Sequence, residues 1–344
     1  MRKKDPGYNR YYKRRLLSME KQRLKRKNYH KHSLDSQANV AIPEDGRYIS
    51  TIPTVFSIVD NPKETVKYFN ELINNILRNE SIGRVFFNFR DVEHLTVDAL
   101  MYLLAILKFL KCRVWEFSGN IPLREAPKEL FCQSGFLRMI RNQNVAIAPN
   151  DLMYMCAGNN ANSKETANVC RFIHAHSAAT RKDTGFIYDM LMELEVNTAD
   201  HAYSKNANPL FVDNWLMLVE DAGAIFKFTF LDVGVGICKT IYKRWHEKIN
   251  LGKSQVDYLI SAFNGALIRT ETRLAHRGKG LPKIKQYSDE HQIGRLKVVT
   301  NRAFCYSSEE DNSLGGIRLQ DSLAGTIYYW EVDKSRWVGK EYAQ

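Results

Sequence analysis

Apolar residues recur at helical spacing over residues 63–78, where Val66, Phe69, Leu72, Ile73 and Ile76 share one face. The pattern then changes to short apolar bursts between polar turns. Residues 85–89 predict a strand, 96–111 an apolar helix with Thr96 as its N-cap, and 113–117 a second strand. A helix follows over 125–132 and stops before Gly135. Strands alternating with helices predict a small sheet covered by helices over residues 46–148. Residues 149–163, rich in Asn, Ala and Gly around Gly158, read as a junction. Beyond it, Ser163 is placed to cap a helix reaching about residue 178, and a second helix is predicted over 184–203. Residues 213–222 and 224–231 carry a hairpin pattern. Phe226, Phe228 and Phe230 alternate there with Lys227 and Thr229, so one face is expected to be buried and the other less so.

Composition narrows the class. With 344 residues, 44% hydrophobic and 26% charged, the chain has an ordinary globular balance and enough length for two cores. The longest apolar run, 99–107, is well short of the roughly 20 residues that cross a bilayer, so no membrane association is expected. The start of the chain is basic and polar and does not read as a secretory leader. Six scattered cysteines without a C-x-x-C pair suggest reduced thiols in a cytoplasmic protein. His174 and His176 lack partners at ligand spacing and read as helix surface. Charge is concentrated at one end. Residues 1–34 hold thirteen Lys or Arg against Asp5 and Glu20, a surplus of eleven in a chain whose total is +12. This arm (1–45) is expected to lack structure of its own. Its tyrosines among basic runs suit nucleic acid, with a solubilising or protein-docking segment as the alternative.

Four short blocks in the second half carry candidate chemistry. Glu193 and Asn197 stand four apart on one predicted helix and share a face; an acid there can activate water while the amide holds Mg2+. Asp232 closes a predicted strand and is followed by Gly234 and Gly236, so a carboxylate can meet the exocyclic amine of adenine where backbone comes close to the base. Arg277, Gly278, Lys279, Gly280 and Leu281 precede a short helix predicted over 282–287, a place where backbone amides and positive charge bind phosphate. Gly325 and Thr326 begin the predicted strand 327–330, with the threonine hydroxyl available to the base.

In this order the blocks resemble the GHKL ATPases, the Bergerat-fold family of gyrase, MutL and histidine kinases. The resemblance covers about residues 163–334 and implies an ATP- and Mg2+-binding α/β sandwich with a mixed, largely antiparallel sheet. By the same resemblance Glu193 is the general base and Asn197 the Mg2+ ligand. Asp232, Gly234, Gly236 and Thr326 serve the adenine, and Arg277, Gly278, Lys279, Gly280 and Leu281 the phosphates. Residues 237–276 would be a lid over the nucleotide, with helices near 239–248 and 255–267. The pattern over 85–95, the helix from Thr96 and the tail 130–136 are similar to the STAS domain of anti-sigma-factor antagonists. Where that family has a phosphorylatable serine this chain has Val97, so a docking or dimerisation surface is expected there instead of a phospho-switch.

The expected organisation is an α/β (α+β) chain with an arm (1–45), a STAS-like domain (46–148), a GHKL domain (149–334) and a tail (335–344). The expected function is an ATP-gated switch with slow hydrolysis, acting on a homodimer or partner through the STAS-like domain in a bacterial signalling or defence setting. Alternatives are a serine/threonine kinase of the anti-sigma-factor type and a nucleic-acid-tethered ATP sensor without turnover. No phosphoacceptor helix pair precedes the ATP blocks and about ten residues follow Val332, which points away from histidine kinases and from transducer-bearing machines.

Overall fold

Among the described residues, five short strands and four helices make the first half of the protein. The computed structural model describes residues 47–79, 82–110, 114, 116–140, 152–198, 215–239, 254–265 and 280–337. The arm, most of the expected lid, and Arg277, Gly278 and Lys279 lie outside the described residues. Strands β1 (Arg47–Thr51), β3 (Arg84–Asn88) and β5 (Glu116–Gly119) pair in the order β1-β3-β5, all parallel. The last of these lies slightly later than the expected 113–117. Strands β2 (Val55–Phe56) and β4 (His94–Leu95) form a separate parallel pair. Parallel neighbours need crossovers, supplied here by α1 (Pro62–Arg78) and α2 (Val97–Leu110), while α3 (Glu125–Gln133) and α4 (Phe136–Ile140) follow β5. Asp98, in the first turn of α2, accepts hydrogen bonds from the N–H groups of Ile58 (2.6 Å) and Val59 (3.2 Å); burial pushes its carboxyl up to about 6.

The second half is built on a five-stranded sheet. Its strands are β6 (Met153–Gly158), β7 (Trp215–Asp221), β8 (Ile225–Asp232), β9 (Gly294–Ser307) and β10 (Leu314–Asp333), in the order β6-β7-β8-β10-β9. Every pairing of this sheet among the described residues is antiparallel, where a mixed, largely antiparallel sheet was expected. The expected junction around Gly158 is itself edge strand β6. A Cβ at Gly158 would meet the Trp215 ring at 2.5 Å, so the glycine lets the indole lie against the strand.

One face of this sheet is covered by α5 (Ser163–Ala175), α6 (Gly185–Asn197), α7 (Gln255–Phe263) and α8 (Gly280–Asp289), which share one core with Phe226, Phe228, Phe230 and Trp330. Asn162, not Ser163, caps α5, accepting from the N–H groups of Lys164 and Glu165. Ser163 is the first helical residue because Asn162 already holds the extended entry with its side-chain oxygen over the first turn. Thr184 precedes α6 but makes no side-chain capping bond. The described helix of the expected lid packs into the core: α7, started by a Ser254–Asp257 capping box, lies on β9, β10 and α8 and buries Val256, Leu259 and Phe263. Trp337, expected in the tail, lies in a 3-10 turn (Lys334–Trp337) with its ring 6.0 Å from that of Phe226.

The opposite face is covered too. Thr229, Leu231, Leu216 and Leu218 are all buried there, so the face expected to be more open is closed. The first half supplies the cover: α1 packs along β10 and α2 touches β8. Polar links cross the same seam, with Lys297 Nζ 2.7 Å from Asp60 Oδ1 and Asn70 donating to the Ser322 carbonyl at 3.2 Å. Every side chain from Val97 to Leu107 of α2 is buried, which requires partners all round the helix. Among the described residues no helix is long and apolar enough to cross a membrane.

Candidate functional site

Glu193 and Asn197 emerge from the last turn of α6, whose Ile187, Met190, Leu191 and Leu194 are held in the core. The helix is thereby fixed with both polar side chains on the same partly open face. Helix α8 packs against α6. It begins at Gly280, two residues earlier than predicted, and a Cβ added there would stand 2.6 Å from Asn197 Nδ2 and 3.1 Å from Glu193 Oε2. Glycine is therefore what lets the start of α8 come up against the acid and the amide. A Lys283–Asp189 ion pair (3.2 Å) and the Phe186–Tyr287 ring contact hold the same two helices together farther along. Leu281 packs beside the core. Neither Glu193 nor Asn197 is tied by a hydrogen bond or ion pair to another described residue.

The second cluster lies at the end of β8, on the same helix-covered face of the sheet. Asp232 pairs with Thr326 of β10 in the antiparallel register. One of its carboxylate oxygens accepts from the Gly234 N–H at 2.7 Å, which shapes the turn that follows. Burial pushes the carboxyl up to about 7, with the Gly234 bond opposing. Gly325, at φ +92°, lies so close behind that a Cβ would stand 2.1 Å from the Asp232 carbonyl oxygen. Gly325 and Thr326 were expected to start a strand; they sit in the middle of the 20-residue β10 instead. The Thr326 hydroxyl is fully buried and shares a 3.0 Å hydrogen bond with that of Thr300.

No protein-family model matches the chain, and neither does any curated protein.

Sequence reasoning missed three residues that organise the site. Thr300 donates to the Gly325 carbonyl and accepts from the Ile237 N–H at 2.9 Å. Asn301, fully buried at φ +50°, donates to the Val235 carbonyl and accepts from the Lys239 N–H, so it anchors the turn after Asp232. Gly236 at φ +85° is needed because a Cβ there would meet the Asn301 amide at 2.6 Å. An asparagine inside an apolar strand was the available signal, since asparagine tolerates the left-handed region. The third is Glu195, two residues from Glu193 and so on another side of α6. It accepts from the Asn162 N–H (2.6 Å) and the Thr166 hydroxyl (2.8 Å), and burial raises its pKa.

The two histidines have local partners. His174 shares a 2.9 Å hydrogen bond with the Thr184 hydroxyl, and His176 one of 2.8 Å with the Phe172 carbonyl. Chemically, the site offers an acid and an amide that have no side-chain partner among the described residues, beside a helix start, and a carboxylate acceptor at a strand end.

Proposed function

We propose that this protein binds Mg·ATP as a GHKL-type ATPase and uses slow hydrolysis as a conformational switch. The observation that supports this most is the approach of Gly280 to Glu193 and Asn197, on the same sheet face as the Asp232–Thr326 pair. Gly280 thus comes up against two residues more than 80 positions earlier in the chain, which supports the reading.

In this reading Asp232 accepts a hydrogen bond from the exocyclic amine of adenine, through the oxygen that Gly234 leaves open. The missing Cβ at Gly280 leaves space beside Asn197 for phosphate oxygens. Asn197 supplies a neutral oxygen ligand to Mg2+. Among the described residues no three His, Cys, Asp or Glu gather into a metal cage, but Mg2+ retains most of its waters and needs only one or two protein oxygens beside the phosphates. When bound, the metal neutralises phosphate charge. Glu193, untied to any described neighbour, orients a water and takes its proton. The STAS-like resemblance of the first half belongs to the same proposal, with that half acting as the element that senses or transmits closure.

The test is Glu193→Ala in the full chain. ATP binding should persist while phosphate release falls by roughly 100-fold or more. Loss of binding and turnover together would assign Glu193 to the structure of the pocket. Transfer of γ-phosphate to a protein would replace the switch by a kinase.

A further inference from the structure

The register between β9 and β10 shifts three times, between Arg318 and Leu323, between Leu323 and Thr326, and between Tyr329 and Glu331. Eight steps of β10, from Arg318 to Thr326, run beside only three of β9, from Ala303 to Thr300. The excess chain forms a bulge immediately ahead of Gly325. Extra residues in a bulge lose their ladder partners, so their backbone groups need other hydrogen bonds.

The first half provides them. The Tyr102 hydroxyl, on α2, donates to the Ala324 carbonyl at 3.1 Å and accepts from the Ala324 N–H at 3.2 Å. One phenol thus satisfies both backbone groups of a single bulge residue. On α1, Asn70 donates to the Ser322 carbonyl at 3.2 Å. The far side of the bulge meets the candidate site. Gly325 touches the Asp232 backbone, and the Leu323 carbonyl accepts from Asn301, which anchors the turn after Asp232. Tyr102 and Asp232 therefore grip opposite sides of one short segment.

We propose that Tyr102 is a positioning residue for the Asp232 pocket, so that the first half sets how tightly the second half holds a nucleobase. The proposal rests on the ATP-binding reading above. Tyr102 touches no ligand. It fixes Ala324, Ala324 places Gly325, and Gly325 sets the position of Asp232. Any partner that shifts α2 would then alter base binding without entering the pocket, and base binding would in turn alter the hold on α2.

The experiment is a binding titration of the full-length Tyr102→Phe variant with ATP and with inorganic tripolyphosphate, repeated in an Asp232→Asn background. Phenylalanine retains the ring contact with Phe69 (4.7 Å between centroids) and removes only the hydroxyl. We expect ATP to bind about tenfold more weakly, tripolyphosphate to bind as in wild type, and no further loss when Asp232 is already Asn. Unchanged ATP affinity in a folded Tyr102→Phe protein overturns the proposal, as does an equal loss for tripolyphosphate. Should Tyr102→Phe not fold, Asn70→Ala takes its place. A loss of about threefold confined to ATP supports the proposal, and none overturns it. Wild-type protein that binds no ATP removes the site reading itself, an outcome distinct from normal wild-type binding with an inert Tyr102.

Discussion

Burial at the end of β8 holds a proton on Asp232 that the unfolded chain gives up readily. Its carboxyl is pushed up to about 7 from an ordinary 3.8. Between about pH 4 and pH 7 the folded state is protonated at this group and the unfolded state is not. Stability therefore falls as pH rises through that window and levels off above it. The upper bound on this contribution is about 4 kcal/mol. Glu195 is shifted in the same direction and Asp60 in the opposite one, so only a difference measurement isolates Asp232. Urea midpoints for wild type and Asp232→Asn at pH 5 and pH 8 supply it. Wild type should lose clearly more stability between the two than the variant, and matching slopes would show that Asp232 ionises freely when folded. At this scale the sequence was legible wherever chemistry follows from residue type and spacing. Glu193 with Asn197 and Asp232 before two glycines are readable as motifs. Thr300, Asn301 and Glu195 were not, because their roles arise from what faces them across a strand or helix, and sequence distance hides that.

Among the elements, the two glycines that approach the site differ in kind. Gly325 lies at φ +92° against rigid backbone, whereas Gly280 opens a helix and approaches two side-chain tips. Gly325→Ala should cost roughly 2–4 kcal/mol in urea unfolding. Gly280→Ala should cost under about 1 kcal/mol, since alanine suits a helix. It should nevertheless weaken nucleotide binding about tenfold by pushing the Asn197 amide aside, a loss of roughly 1.4 kcal/mol. Equal stability losses for the two would contradict the distinction. Helices and strands with strong periodicity were readable within a residue or two, as α1 and α3 show. Strand β6 was not, because Ala157 and Gly158 have linker composition and only the indole of Trp215 explains the glycine. Helix α7 was placed near its true position, but periodicity gives no sign that its apolar face joins the main core.

For the whole molecule, the decisive feature is that both faces of the five-stranded sheet are closed. Sequence offered a partial sign of this. Leu216 to Val219 is an unbroken apolar run, and α2 is apolar on every side, patterns that belong to elements buried on both faces. Pattern says that a face is covered and not what covers it, so the pairing of α1 and α2 with β10 and β8 had to come from the structure. Residues 44–344 form one compact unit. A fragment of residues 149–344 alone would expose Leu216, Leu218, Leu231 and Ile327. It should aggregate on expression and become soluble when residues 44–148 are supplied in trans, as size-exclusion chromatography would show. A monodisperse, folded 149–344 fragment would mean the seam contributes little.

Strand order adds a constraint on synthesis. β10 is the last strand among the described residues, yet it lies between β8 and β9. As the polypeptide leaves the ribosome, Glu193, Asn197, Asp232 and Gly280 all emerge before the segment that sets Asp232 in place. Until Leu314–Asp333 is inserted, β8 has an open edge, and Tyr102 has no Ala324 to hold. A nascent or prematurely terminated chain thus carries most of the motif residues without a finished pocket, and the site is completed in one late, long-range step.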